Sequence, residues 1–195
     1  MRQLLAIAFC LLVSTTISAQ TDSTSTFWKP SPRNYQVKHA IEIEALPFVY
    51  LSSGYHISVG YRYKKFRFRA STIDVGTFNQ ETQNDAFERF ESKGSFGLFA
   101  GYNVWKNLET YVFLDNQKFD ITQKSTSETR IKNYLTPGLG ISYQLFIGRY
   151  FYLQPGVHLY VRSNNTTQFS DGSVYSLPTE IVPVIRIGVR PWKKF

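Results

Sequence analysis

Residues 54–64, GYHISVGYRYK, alternate apolar and polar side chains along the whole stretch. One set of alternate positions holds Tyr55, Ile57, Val59, Tyr61 and Tyr63. The other set holds His56, Ser58, Gly60 and Arg62. Because successive side chains of a β-strand point to opposite faces, this period of two predicts a strand. The same pattern predicts eight strands, at about residues 37–47, 54–64, 66–77, 93–105, 108–116, 130–145, 150–162 and 179–190.

The connections between these strands are alternately short and long. Short turns lie at Lys64-Lys65, at Lys106-Asn107 and at residues 147–149, whereas longer polar stretches join most of the other strand pairs. That arrangement is typical of an up-and-down antiparallel sheet. Eight long strands without helices would leave two exposed edges, so we expect an all-β fold in which the sheet closes into an eight-stranded barrel.

The start of the chain has the three parts of a secretory signal peptide. Residues 1–19 combine a basic residue, an apolar run and a small-residue close, with cleavage expected after Ala19. Cys10 is the single cysteine and lies in this segment, so we expect no disulfide after export. Residues 20–35 are predicted to be a polar N-terminal lead-in, and residues 36–195 to be the barrel domain.

Alternation alone allows two orientations of a closed barrel. A periplasmic, lipocalin-like carrier places its apolar face inward, whereas a membrane barrel places it outward and keeps a polar interior. Three features favour the membrane barrel, the first being strands long enough to cross the hydrocarbon layer. The second is a set of glycines on the polar face, which suit a narrow and crowded interior. They are Gly60, Gly97, Gly101, Gly138, Gly140, Gly156 and Gly188.

The third feature is the gathering of aromatic residues next to the short turns. Rings with a polar edge settle where a membrane meets water, so this clustering predicts an aromatic girdle at one end of the barrel. The predicted girdle contains Tyr61, Tyr63, Phe66, Phe68, Tyr102, Trp105, Tyr143, Phe146, Phe151, Trp192 and Phe195.

The last predicted strand leads into VIRIGVRPWKKF, residues 184–195. Counting back by twos places the final Phe195 in phase with the apolar Ile187. Pro191 lacks an N–H group for the ladder, so we expect it to interrupt the strand.

This ending resembles the carboxy-terminal signature of bacterial outer-membrane proteins. Residues 36–195 as a whole resemble the small eight-stranded outer-membrane barrels of the OmpX type and the OmpA transmembrane domain. The resemblance implies a bacterial outer-membrane location and contact with outer-membrane lipid, including lipopolysaccharide. It also implies that the assembly machinery recognises Phe195, together with Trp192.

The inward face of such a barrel would carry opposite charges. The predicted interior residues are Glu42, Glu44, Glu109, Glu180, Arg62, Arg67, Arg69, Arg186 and Arg190. Closure makes the first strand a neighbour of both the second and the last, so its two glutamates would meet arginines on both sides. Buried opposite charges must pair, and eight strands leave little lumen. We therefore favour a packed, salt-bridged plug over a polar conduit or a ligand site.

His56 and Ser58 raise the possibility of catalysis, because they share one strand face near the carboxylates of Glu42 and Glu44. Lipid A deacylases of the outer membrane are similar in combining His, Ser and Glu on an eight-stranded barrel. A lipid A-modifying hydrolase is therefore an alternative. The pair lies on the polar face, however, whereas those enzymes work on the lipid side, so we predict no enzymatic activity.

Other chemistry finds little support in the sequence. No cluster of His, Cys or Asp indicates a metal site, and no nucleotide-binding motif indicates a cofactor. The net charge is +8, but an exported chain is not expected to meet nucleic acid. Basic residues near the short turns would face the periplasmic leaflet, either as a solvated rim or in contact with anionic headgroups. They are Lys64, Lys65, Arg67, Lys106, Arg149, Lys193 and Lys194.

The sequence thus predicts a non-enzymatic outer-membrane barrel with a narrow interior, unlike a wide porin. Its expected role is structural or is a surface interaction through the long loops, whose partners the sequence does not identify. The alternatives are the lipid A-modifying hydrolase and the periplasmic lipocalin-like carrier.

Overall fold

A computed structural model describes residues 34–51, 53–78, 87–123, 126–162, 166–170, 172–175 and 178–195. The predicted signal peptide, residues 1–19, and all but the last two residues of the predicted lead-in lie outside this part of the chain. The described chain begins with a single 3-10 turn at Asn34–Gln36. Within these ranges no helix is long and apolar enough to span a membrane.

Nearly all of the described chain is β-strand. One short helix, α1 (Pro47–Tyr50), lies in the first long connection. The strands are β1 (His39–Ala45), β2 (Tyr55–Tyr63), β3 (Phe66–Asp74), β4 (Thr77–Phe78), β5 (Phe87–Trp105), β6 (Leu108–Gln123), β7 (Thr129–Tyr143), β8 (Leu145–Ile147), β9 (Phe151–Val161), β10 (Thr166–Phe169), β11 (Gly172–Tyr175) and β12 (Thr179–Lys194).

The sheet closes on itself as an antiparallel barrel. Its strand order is β12, β1, β2, β3, β5, β6, β7 and β9, and β12 also pairs with β9. The short β8 continues β7 after Gln144 and pairs with the same neighbour, β9. The described residues therefore form eight barrel strands, which confirms the predicted fold class.

The apolar face points outward. Ile57 on β2 and Leu98 on β5 are 50% and 51% exposed, whereas Arg67 on β3 and Glu109 on β6 have no exposed surface. The burial of β2 alternates strictly between exposed and buried along its nine residues. A lipocalin-like carrier would need the reverse burial, so that alternative does not fit the described residues.

The two ends of the barrel differ in the length of their connections. The turn end carries the two-residue turns Lys64-Lys65 and Lys106-Asn107 and the turn at residues 148–150, and the loop end carries the long connections. At the loop end β5 and β6 run further than predicted, and β6 pairs with β7 from Leu108–Tyr143 to Thr122–Thr129. The predicted boundaries failed because outward residues such as Lys118 are polar beyond the apolar band, although backbone pairing continues there.

The end of β12 also differs from the prediction, because the strand continues through Pro191 to Lys194. The register with β1 shifts between Ile41, which pairs with Trp192, and Ile43, which pairs with Val189. This β-bulge holds one extra residue on β12, and proline is tolerated at a bulge because the ladder is already interrupted there. The extra residue reverses the phase, so the prediction that Phe195 shares a phase with Ile187 is wrong.

Candidate functional site in the barrel interior

Arg67 lies at the centre of a charged cluster inside the turn half of the barrel. Its guanidinium contacts the carboxylates of Glu42 and Glu44 on β1 and of Glu109 on β6. The Nη1 atom lies 2.8 Å from Glu109 Oε2. All four side chains are buried. One arginine on β3 therefore links three carboxylates that two other strands supply.

Two residues of β9 complete the surroundings of Arg67. Gln154 accepts a hydrogen bond of 3.0 Å from Arg67 Nη1 and donates one of 3.0 Å to Glu109. Tyr152 lies 3.1 Å from Arg67 Nη2 and donates from its hydroxyl to Glu44 over 2.9 Å. A guanidinium carries five N–H donors in a rigid fork, and here they are directed at oxygens on three sides of the lumen.

Glu42 is a second centre of the cluster, nearer the turn end. Arg190 of β12 approaches Glu42 Oε1 with Nη2 at 2.6 Å and Nε at 2.9 Å. Arg62 of β2 lies 3.3 Å from the same oxygen and donates to Gln144 over 2.7 Å. The guanidinium of Arg190 also lies 4.5 Å from the centre of the Phe146 ring. Phe146 is therefore buried in the interior, and its predicted place in the aromatic girdle is wrong.

Towards the loop end the cluster borders a layer of rings. Phe99, Tyr111, Phe113, His158 and Tyr160 form it, with ring centroids 4.8–6.3 Å apart. The glycines of β7 make room for it, because a Cβ atom at Gly138 or at Gly140 would overlap Phe113 or Tyr111, respectively. The interior thus changes from ionic to aromatic along the barrel axis.

Arg69 and Arg186 join the ionic cluster to the aromatic layer. The guanidinium of Arg69 lies 4.7 Å from the Tyr111 ring centroid, and its Nη1 lies 3.3 Å from Glu44. Arg186 lies 3.9 Å from Glu44, and its Nη2 donates to His158 Nε2 over 2.6 Å. Because a guanidinium can only donate, this nitrogen of His158 accepts, and the imidazole is neutral. The interior cluster holds more arginines than glutamates, and cation–π contacts with the aromatic rings partly stabilise the charges of Arg69 and Arg186.

Glu180 lies apart from the other predicted interior residues. It is partly exposed at the loop end, where Arg162 Nη2 lies 2.6 Å from its Oε2. Sequence reasoning also left out Gln144, Tyr152 and Gln154 from the cluster. Tyr152 and Gln154 share their strand face with His158, so alternation alone was enough to place them inside.

His56 and Ser58 are both buried on the inward face of β2. Ser58 is directly opposite Glu44 on β1, but His56 Nδ1 has no hydrogen-bond partner in the part of the chain that the structure describes. The apolar outer wall is on the other side of the strand from both residues. This arrangement offers no support for a hydrolase acting on membrane lipid. Nor do the described residues group three His, Cys, Asp or Glu side chains that could hold a metal ion.

The two residues of the predicted assembly signal are both exposed at the turn end. Trp192 is 47% exposed and pairs with the outward-facing Ile41. Phe195 is 48% exposed, with Lys193 Nζ 5.5 Å from its ring centroid.

At the loop end a small hairpin, formed by β10 and β11, lies against the extended β7. Lys132 Nζ donates to the Thr166 carbonyl over 2.9 Å, and the Tyr134 hydroxyl lies 3.5 Å from Thr167 Oγ1. Glu128 accepts hydrogen bonds from the hydroxyl and the backbone N–H of Ser170, at 2.8 Å and 3.2 Å. These bonds from Ser170 hold the pKa of Glu128 below its ordinary value.

Comparison with known proteins gives similarities of fold. No protein-family model and no curated protein matches this sequence. Among solved structures, the N-terminal β-barrel domain of Pseudomonas aeruginosa OprF is 13% identical with a TM-score of 0.48, and the match covers 80% of this chain and 99% of that one. Neisserial surface protein A is also 13% identical, with a TM-score of 0.42 and coverage of 78% and 92%. This chain is similar to both in fold.

Proposed function

We propose that this protein is a small, closed barrel of a bacterial outer membrane, with a structural role or a surface interaction at its loop end. The observation that carries the proposal is the inverted burial of the barrel. Large apolar side chains cover the outer wall, while the arginines and glutamates of the interior cluster have almost no exposed surface. In water this arrangement would expose a broad apolar surface, but in a bilayer it places apolar groups against lipid.

The side chains that fill the interior favour a closed barrel rather than an open pore. Arg67 and its partners come from β1, β3, β6 and β9, so ion pairs and hydrogen bonds cross the lumen from several sides. The aromatic layer of Phe99, Tyr111 and Phe113 fills the next level of the barrel. An eight-stranded barrel is just wide enough for side chains to fill, so no continuous water path is expected.

The loop end supports a role at the cell surface. There β5, β6 and β7 continue past the apolar band, and β10–β11 packs against β7. Connecting segments on a rigid scaffold commonly carry binding functions. The apolar wall would contact membrane lipid, including lipopolysaccharide in the outer leaflet.

Fractionation, heat-dependent gel migration and planar-bilayer conductance test this proposal together. We expect the protein in the outer-membrane fraction, faster migration before boiling than after it, and no ohmic current steps, with a wide porin as the positive control. Protease added to whole cells should cleave within the long connections. Recovery in the soluble periplasm would contradict the membrane location, and regular current steps would contradict the closed interior.

A further inference from the structure

The turn end of the barrel carries a rim of positive charge, which we call the basic rim. It consists of Lys38, Lys64, Lys65, Lys106, Arg149, Lys193 and Lys194. Six of these side chains are exposed, and Lys193 is partly buried. Of the described acidic residues, those nearest this end are Glu42 and Glu109, and both are fully buried in the interior. The surface of this end is therefore positive without a compensating acidic side chain among the described residues.

Backbone contacts show that these residues belong to one end of the barrel. The Lys38 N–H donates to the Lys194 carbonyl over 2.9 Å, and the Lys64 N–H donates to the Lys38 carbonyl over 2.6 Å. On the β9 side, Lys193 Nζ donates to the Arg149 carbonyl over 2.8 Å. The charges are spread around the barrel, from β12 and β1 through the β2–β3 and β5–β6 turns to the start of β9.

Most of these cations lie next to aromatic rings of the outer wall. Lys64 Nζ is 5.2 Å from the Tyr63 ring centroid, and Lys106 Nζ is 4.7 Å from that of Trp105. Similar contacts join Lys65 to Tyr102 at 5.7 Å and Arg149 to Tyr150 at 5.5 Å. All four rings are exposed on the surface. Tyrosine and tryptophan mark the membrane–water interface, so the cations lie at the depth of lipid phosphates.

We propose that the basic rim binds the headgroups of anionic phospholipids in the leaflet at the turn end. The inference rests on the proposed membrane location. Phosphate is the complementary charge at this depth, and positive groups near an anionic leaflet are attracted over about one Debye length, roughly 8 Å at physiological salt. The charges lie at every turn and at the junction of β12 with β1, all around the wall, which fits a ring of lipids, whereas an acidic protein partner would need one continuous patch.

Quenching of tryptophan fluorescence by brominated lipid tests this proposal. Trp105 and Trp192 lie at the rim and are exposed, so a Trp28→Phe background leaves these two as reporters. The barrel is folded into phosphatidylcholine vesicles containing phosphatidylglycerol, with bromine on one lipid or on the other. The ratio of quenching gives the preference of the rim for the anionic lipid. One basic residue near a charged surface corresponds to about a fivefold change in affinity, so we expect at least about a fivefold preference.

The decisive variant replaces three rim residues, Lys64→Gln, Lys65→Gln and Lys106→Gln. Its matched control removes three positive charges from the other end, through Lys118→Gln, Arg130→Gln and Arg162→Gln. We expect the rim variant to lose most of the preference and the control to keep it, and high salt to weaken the wild-type preference. Equal quenching by the two lipids in the wild type, or an equal loss in both variants, would overturn the proposal. Failure of either lipid to quench would instead show that the barrel does not insert, which contradicts the proposed function itself.

Discussion

The turn end and the loop end of this barrel are built on different principles. The turn half is held by buried ions centred on Arg67, and its connections are as short as Lys64-Lys65. The loop end uses long strand extensions and partly exposed ion pairs, such as Glu128 with Arg130 and Glu180 with Arg162. Buried ions are costly to leave unpaired, while exposed pairs contribute little. We therefore expect the turn half to determine stability and the loop end to tolerate change.

The largest effect should come from removing the central cation with Arg67→Met. Three buried carboxylates would lose their shared partner, and breaking a buried pair typically costs about 3–5 kcal/mol of unfolding free energy. Urea unfolding in lipid vesicles, followed by tryptophan fluorescence and gel migration, measures the loss.

Arg130→Gln provides the matched control at the loop end, because Arg130 is paired with Glu128 but largely exposed. We expect its unfolding free energy to stay within about 0.5 kcal/mol of the wild type. Equal losses in the two variants would remove the distinction between the halves.

A smaller loss of unfolding free energy should follow from adding a side chain where the aromatic layer now packs against a glycine. A Cβ atom at Gly140 overlaps the Tyr111 ring, so Gly140→Val should displace that ring and cost about 1–3 kcal/mol. Ala70→Val adds comparable bulk on the outer wall, where Ala70 is exposed, and should cost much less. The same urea titration compares the two variants, and an equal cost would show that the layer is not tightly packed.

The sequence was sufficient for the parts of this architecture that depend on alternation. The eight barrel strands and their closure follow from a period of two and from the problem of exposed edges. The outward direction of residues such as Ile57 needed three further features, which are the strand length, the glycines of the polar face and the aromatic residues near the short turns. The inward phase of Arg67 and Glu109 follows in the same way. Alternation assigns each side chain to one of the two faces of its strand, and the assignment holds along the whole strand.

Register, and everything that depends on it, was beyond the sequence. That Arg67 meets Gln154 depends on the stagger of strands that are far apart in the chain, and no local pattern encodes this stagger. The bulge beside Pro191 reverses the phase of the last residues, which a count by twos cannot anticipate. Phe146 was assigned to the aromatic girdle because it lies close to a short turn in the sequence. Its position in the alternation instead points it inward, where it contacts Arg190.

The smallest effect is expected at the loop end, in the contact between Glu128 and Ser170. The folded-state pKa of Glu128 is lowered, chiefly by the hydrogen bonds from Ser170. The contact is therefore fully present above the ordinary carboxyl pKa and is lost as pH falls through the lowered value. Hydrogen exchange of residues 166–170 should accelerate modestly over that acidic range, while the global unfolding of the barrel stays unchanged. Glu128→Gln keeps the acceptor oxygen but cannot titrate, so its exchange should show no such step. A step of equal size in this variant would mean that another group holds the β10–β11 hairpin.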